Sequence, residues 1–169
     1  MAKWRIWFWS LFLLFCLGAA ALTAAVWNNL NTEWQVVDVT AQAALNDSPI
    51  NAIDEHSVFT GQGVQEVFRG SDAFGRKWYT FVSADGSDVH YIAADQLVSS
   101  LQIMKELQPN HLTGSSLHLG YVDSGSLPRL QTSSHFVWEV YGQNSDGHSE
   151  YRYFDALTGR FLWKYVLST

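Results

Sequence analysis

Six histidines are the residues of this chain best suited to metal or proton chemistry: His56, His90, His111, His118, His135 and His148. A helical metal site sets two of them four positions apart, so that both imidazoles share one face. No pair has that spacing, and the one cysteine, Cys16, lies far away in an apolar stretch. His90 and His118 could meet in space, but isolated histidines of this kind are most often strand or surface residues. Ser133-Ser134-His135 and Gly114-Ser115-Ser116 supply hydroxyls, yet neither forms the Gly-x-Ser-x-Gly elbow of a nucleophile. Asp54 and Glu55 are neighbours in a strand-like segment and so face opposite ways, which makes them a poor acid–base pair. Asp72 with Gly75, and Asp146 with Gly147, carry turn chemistry, whereas a calcium loop needs several spaced oxygen ligands. These residues imply no catalytic centre, no cofactor, no metal and no small-molecule substrate.

Two further features invite a functional reading. Gln35-Val36-Val37-Asp38-Val39 is similar to the Gln-Val-Val-Ala-Gly loop of cystatin protease inhibitors, but it lacks the glycine and falls in a predicted helix, not at a hairpin tip. Aromatic side chains are the other. Phe74 and Trp78 flank a turn, and Trp163 stands in the last strand. Trp and Tyr are favoured at protein interfaces, so these three are the candidate partner-binding residues; the same side chains also fill small cores.

The elements that must position them follow from periodicity. Leu30, Trp34, Val37, Ala41 and Ala44 mark one face of a helix that should end at the turn cluster Asn46-Asp47-Ser48-Pro49. Strands are predicted over 53–59, 64–69, 77–83 and 89–92, joined by Gly-rich turns that favour antiparallel hairpins. The pattern then restarts. Ala94, Leu97, Val98, Leu101 and Met104 make a second helical stripe that stops near Gln108-Pro109, and strands follow over 117–122, 136–141, 150–155 and 161–166. Detail repeats too: Gly70 and Gly75 are spaced like Gly142 and Gly147, and each pair is followed by an aromatic couple, Tyr79 with Phe81 and Tyr151 with Tyr153. A duplicated helix-then-sheet unit is expected. A four-stranded antiparallel sheet has one apolar face that needs a cover, so these couples are expected to pack under their own helices.

The start of the chain sets its address. Residues 6–31 carry no charge, Lys3 and Arg5 precede them, and every acidic residue lies beyond position 32. At ~1.5 Å per residue, residues 6–27 are long enough for a hydrocarbon core of ~30 Å. The basic flank predicts a cytoplasmic N-terminus and an extracytoplasmic remainder. Leu17-Gly18-Ala19-Ala20-Ala21 offers an Ala-x-Ala site, so cleavage near Ala21 is the rival reading; the apolar run continuing to Trp27 favours a retained anchor. The outer part holds all 16 acidic residues and 8 of the 10 basic ones, which argues against nucleic acid or anionic polymers held by charge alone. With its single Cys in the anchor, it has no internal disulfide.

The segment Glu66-Val67-Phe68-Arg69-Gly70-Ser71-Asp72-Ala73-Phe74-Gly75, followed by Tyr79-Thr80-Phe81-Val82, resembles the TseB-like (YpmB-like) cell wall elongation regulators of Gram-positive bacteria. The closing segment Tyr151-Arg152-Tyr153-Phe154-Asp155-Ala156-Leu157-Thr158-Gly159-Arg160 also matches, and it resembles the end of PepSY-type domains. The resemblance covers nearly the whole chain in architecture, but its motifs are turn and core residues. It implies an α+β fold: a short cytoplasmic tail (1–5), a transmembrane helix (6–27) and two tandem cystatin-like domains (28–92 and 93–169), each one helix on a four-stranded antiparallel sheet. It further implies a non-enzymatic, single-pass membrane regulator whose partner is a penicillin-binding transpeptidase or another wall-synthesis protein. A PepSY-like inhibitor or sensor of an extracytoplasmic peptidase is the alternative. The family offers no catalytic positions to carry over.

Overall fold

The computed structural model describes residues 2–61, 63–107, 112–125, 132 and 134–167. The chain is α+β. A long helix α1 (Ala2–Asp47) precedes strands β1 (Ala52–Phe59), β2 (Gln65–Ser71), β3 (Lys77–Ser83) and β4 (Val89–Ala93). A 3₁₀ turn (Ala94–Gln96) and a short helix α2 (Ser100–Glu106) lead to β5 (Thr113–Tyr121), β6 (Phe136–Gln143), β7 (Ser149–Asp155) and β8 (Phe161–Val166). The chain forms two compact units, Met1–Asp38 and Val39–Thr169. In the first, Trp7–Trp27 is a helix long and apolar enough to cross a membrane. Gln35-Val36-Val37-Asp38-Val39 is helical, not a hairpin tip.

Both sheets are antiparallel meanders, β1-β2-β3-β4 and β5-β6-β7-β8. α1 stops at the turn cluster: the Ser48 hydroxyl donates to the Ala44 carbonyl at 2.6 Å, and Pro49 bars another helical turn. In the first sheet the registers put Gln65, Val67, Tyr79, Phe81 and His90 on one face, and Phe68, Gly70, Trp78, Thr80 and Val82 on the other. The last turns of α1 cover the second of these faces. There Ala41, Ala43 and Ala44 meet Ile50, Phe68 and Val82, the Thr80 hydroxyl donates to Ser48 at 3.0 Å, and Gly70 leaves room for Ile50 and the Ala52 carbonyl.

Tyr79 and Phe81 therefore do not pack under their own helix. They lie on the opposite face, where Phe81 is buried with its ring 5.4 Å from Phe136 and 6.5 Å from Tyr121, both from the second sheet's segment of chain. Period-2 alternation fixes which residues share a face; it does not fix which face the helix takes. The second sheet departs from expectation in the same sense. Ile103 and Leu107, at the end of α2, join a cluster with Trp138 and Phe154, and the Trp138 indole N–H donates to the Val98 carbonyl at 3.0 Å. Tyr151 and Tyr153 alternate with Arg152 and Phe154, so they point away from α2.

The second helical stripe also needs correction. α2 begins only at Ser100, because the extended Ser99 accepts from the Gln102 N–H with its hydroxyl and caps it there, while Val98 lies outside the helix and donates to the Ala156 carbonyl. That start turns the helix so that Ile103 and Leu107 face inward; Leu101 is 74% exposed. Gln108-Pro109 lies outside the described residues.

One apolar cluster runs through both sheets, from Phe59, Val67 and Phe81 to Leu119, Val137 and Trp138. Gly120 lets them come together: a Cβ there would lie 2.5 Å from the Phe59 ring. Gln65 locks the contact, its carboxamide donating to the Tyr121 carbonyl at 2.9 Å and accepting from the Tyr121 N–H at 3.2 Å. Replacing Phe81 with Ala should cost ~3–5 kcal/mol, because the cavity opens where two sheets meet and neither can collapse into it alone. Denaturant midpoints test this, with Phe74→Ala as the exposed control, expected to stay within about 0.5 kcal/mol of the parent.

Candidate functional site

Phe74 and Trp78 come together at the turn between β2 and β3, and Asp72 builds that turn. Its Oδ1 accepts from the Phe74 and Arg76 backbone N–H groups at 2.9 and 3.0 Å. Its Oδ2 accepts from Arg76 Nε at 2.7 Å and from the Trp78 indole at 3.1 Å. Gly75 closes the turn at φ 79°, where a side chain would be strained, and donates to the Asp72 carbonyl. The product is a rigid display. Phe74 is 84% exposed. The Arg76 guanidinium lies over both Phe74 and Trp78, at 5.7 and 5.6 Å from the ring centres. Trp78 is half-buried on the α1 side and meets Tyr91 edge-on at 5.9 Å.

The electrostatics match the geometry. Burial alone would raise the Asp72 carboxyl, but the bonds from Trp78, Arg76 and Phe74 outweigh it and hold the group at about 2.

Trp163 stands elsewhere, half-buried on the face of the second sheet opposite α2, where Gly120 and Glu139 lie against Phe59 and Gly61 of the first sheet's segment. Cross-strand registers place His118, Glu139, Tyr153 and Trp163 in one row, and Ser116, Tyr141, Tyr151 and Tyr165 in the next. Tyr141 and Tyr151 have ring centres 4.7 Å apart. Trp163 stacks between Tyr153 at 6.0 Å and Tyr165 at 5.9 Å, both at low interplanar angles. Glu139 is buried beneath this row. Burial raises its carboxyl, and the Tyr153 hydroxyl, donating to Oε2 at 2.7 Å, and the charge of His118 pull it back. Burial likewise drives the Tyr153 phenol far above its usual range, with the Glu139 bond adding to the rise, so this pair is a structural hydrogen bond and not a proton shuttle near neutral pH.

The remaining sequence candidates have structural roles. His90 and His118 do not meet: His118 faces Glu139, whereas His90 stacks on Tyr121 with ring centres 3.7 Å apart. His135 Nδ1 donates to the Val122 carbonyl at 2.7 Å, and the Ser134 hydroxyl donates to the Phe136 carbonyl; Ser133 lies outside the described residues. Asp54 and Glu55 are split by a register shift in β1 and pair with different cations, Lys77 and Arg69. Among the described residues no three His, Cys, Asp or Glu side chains are grouped to hold a metal. What these surfaces can do chemically is present aromatic and guanidinium groups to another molecule.

Sequence reasoning missed Arg76, which joins Phe74 to Trp78, and the Tyr141, Tyr151 and Tyr165 row. The alternation of Tyr151 with Tyr153 and of Trp163 with Tyr165 carried the second signal, since such pairs share a face.

No family model matches the chain, and no curated protein matches it in sequence. Among solved structures, the YpmB protein from Bacillus subtilis is similar, with a TM-score of 0.61 at 20% identity over 77% of this chain and 96% of that one. The chain therefore shares its fold with that protein.

The Asp72 turn generates a pH prediction. A carboxyl whose folded value is depressed contributes stability above its unfolded value near 3.8 and loses it as pH falls through its folded value of about 2. The amide resonances of Phe74 and Arg76 should hold their positions down to about pH 3 and move between about pH 3 and 1. Asp72→Ala should broaden or shift them at neutral pH; unchanged resonances in that variant would show that Asp72 does not set the turn.

Proposed function

We propose that this protein is a non-enzymatic regulator of cell wall elongation, anchored by its N-terminal helix, that acts outside the membrane by binding a penicillin-binding transpeptidase. In this reading Trp7–Trp27 is a retained single-pass anchor with a cytoplasmic N-terminus, and each four-stranded sheet belongs to a cystatin-like unit of the TseB-like and PepSY-like kinds. The observation that carries the reading is the fold shared with YpmB, which agrees with the family resemblance of the segment around Asp72 and of the closing strands. The side chains favour an interaction role. Phe74, held out on a turn with Arg76 and Trp78, has the residue types that dominate binding energy in protein interfaces, and holding them rigid lowers the ordering cost of association. Trp163 is the candidate on the second surface.

Crosslinking of the tagged full-length protein in intact cells, followed by mass spectrometry of what co-purifies, tests this. A penicillin-binding protein is the expected product, and Phe74→Ala, at an exposed position, should lower its recovery about tenfold, equivalent to roughly 1.4 kcal/mol, without loss of the folded protein. Recovery of a membrane or secreted peptidase with no wall synthase would overturn the proposal in favour of a PepSY-like inhibitor.

A further inference from the structure

β8 ends the second sheet on one side, whereas β5, on the other side, lies against β1 and β2. A strand packed on one face buries every second residue. Lys164, Tyr165, Val166 and Leu167 are instead exposed in succession, and three of them are large apolar or aromatic residues. What these four share is the outer edge of the sheet, and that edge has few guards against a further strand. The segment contains no proline, and Lys164 is its one charge. The irregularity of β8, which leaves Leu162 without a cross-strand partner between Phe161 and Trp163, comes before it.

Register fixes which backbone groups point outward. The Leu167 N–H donates to the Ser149 carbonyl at 2.8 Å, so residues 163, 165 and 167 turn their backbone groups toward β7. The N–H and C=O groups of Lys164 and Val166 therefore point away from the sheet. They present two donors and two acceptors at the spacing that one more antiparallel strand requires.

We infer that this edge pairs with the same edge of a second copy of the chain, antiparallel, with Lys164 of each protomer opposite Val166 of its partner. Opposite residues of this kind exchange both hydrogen bonds, so all four outward groups of each protomer are satisfied. Sliding the pairing by two residues one way sets Lys164 against Lys164, with like charges directly opposed. Sliding it the other way sets Val166 against Val166 and carries Lys164 past the end of β8. The register between these places Tyr165 on the two-fold axis, facing its counterpart and carrying the Tyr141, Tyr151 and Tyr165 row into the second protomer. Self-pairing is favoured over a strand of another protein because the chain supplies its own complement, in donors, acceptors and charge. The contact is isologous and uses up the edge, so it stops at two copies and does not grow into a fibre. One short strand is a small interface, below the ~1,200 Å² of a standard one, so the dimer is a weak one. This inference stands apart from the wall-synthase proposal and does not need it.

The test uses the full-length protein in detergent micelles, with Cys16→Ser as the background that removes the native thiol. Tyr165→Cys should form an intermolecular disulfide under mild oxidation, because facing residues that do not exchange hydrogen bonds have Cα atoms about 4.5 Å apart, within the roughly 4.4–6.8 Å that a disulfide spans. Lys164→Cys, which faces Val166, should crosslink about tenfold less. Adding Val166→Pro to Tyr165→Cys should cut the crosslink about tenfold, since it removes an outward donor and no bond to β7, a place where an edge strand tolerates proline. A measurement on the unsubstituted protein backs these variants. Over a roughly hundredfold rise in concentration the Lys164 and Val166 amides should gain protection from hydrogen exchange, while that of Tyr165, already bonded to β7, should not change. The inference is overturned if Tyr165→Cys forms no disulfide, if Lys164→Cys crosslinks equally well, or if the Lys164 and Val166 amides exchange at rates independent of concentration. Protection of those amides that appears only when a co-purifying wall synthase is added would overturn it in favour of a strand from that protein.

Discussion

Phe81 decides the architecture. The first sheet has two apolar faces, and the last turns of α1 can cover only one of them. The face bearing Phe59, Val67 and Phe81 would be open to water if the second sheet did not bring Tyr121, Phe136 and Gly120 against it. Each ring of this size contributes roughly 1.5–3 kcal/mol on burial, against a total stability of only about 5–15 kcal/mol for a typical domain. The two sheets are accordingly one compact unit with a common core. The Gln65 carboxamide supports that core by pairing both polar groups of the Tyr121 backbone at the seam, where unpaired backbone would be costly.

This dependence explains where exposed aromatics can exist. Once α1 takes the Phe68 and Val82 face and the second sheet takes the Phe81 face, the β2–β3 turn is left projecting with no packing duty. A turn free of the core can be made stiff by its own hydrogen bonds, and Asp72 spends all its acceptor capacity on four donors within six residues. On the second sheet α2 is short and covers the Trp138 and Phe154 side, while the first sheet covers the other face at Gly120 and Glu139, so Tyr165 at the far end of the row is left exposed. Both features follow from the first sheet and two helix segments having to share the covering of four sheet faces.

The legible part of the chain is its local grammar. Strands β3 and β8 fall at the positions that alternation and turns mark, and α1 ends at the Asn46-Asp47-Ser48-Pro49 cluster. The turn role of Asp72 was readable because an Asp three positions before a Gly is itself a local signal. The face assignment was not readable, since Tyr79 and Phe81 share a face whichever side the helix takes. The α2 stripe failed for a different reason. Leu97, Val98 and Leu101 have helical spacing, but Val98 is claimed by the Ala156 carbonyl and by the Trp138 indole, long-range bonds that no window of sequence contains. Arg76 was passed over because its place between two rings depends on Asp72 holding its guanidinium.

The seam also sets the chemistry of the surface beside it. Bringing the two sheets together puts Asp88 and Asp123 near one phenol and leaves His90 stacked and partly desolvated. Tyr121 stands at the centre of that arrangement, its backbone fixed by Gln65 and its ring held between His90 and His135, so order imposed by the buried core reaches the surface through one residue.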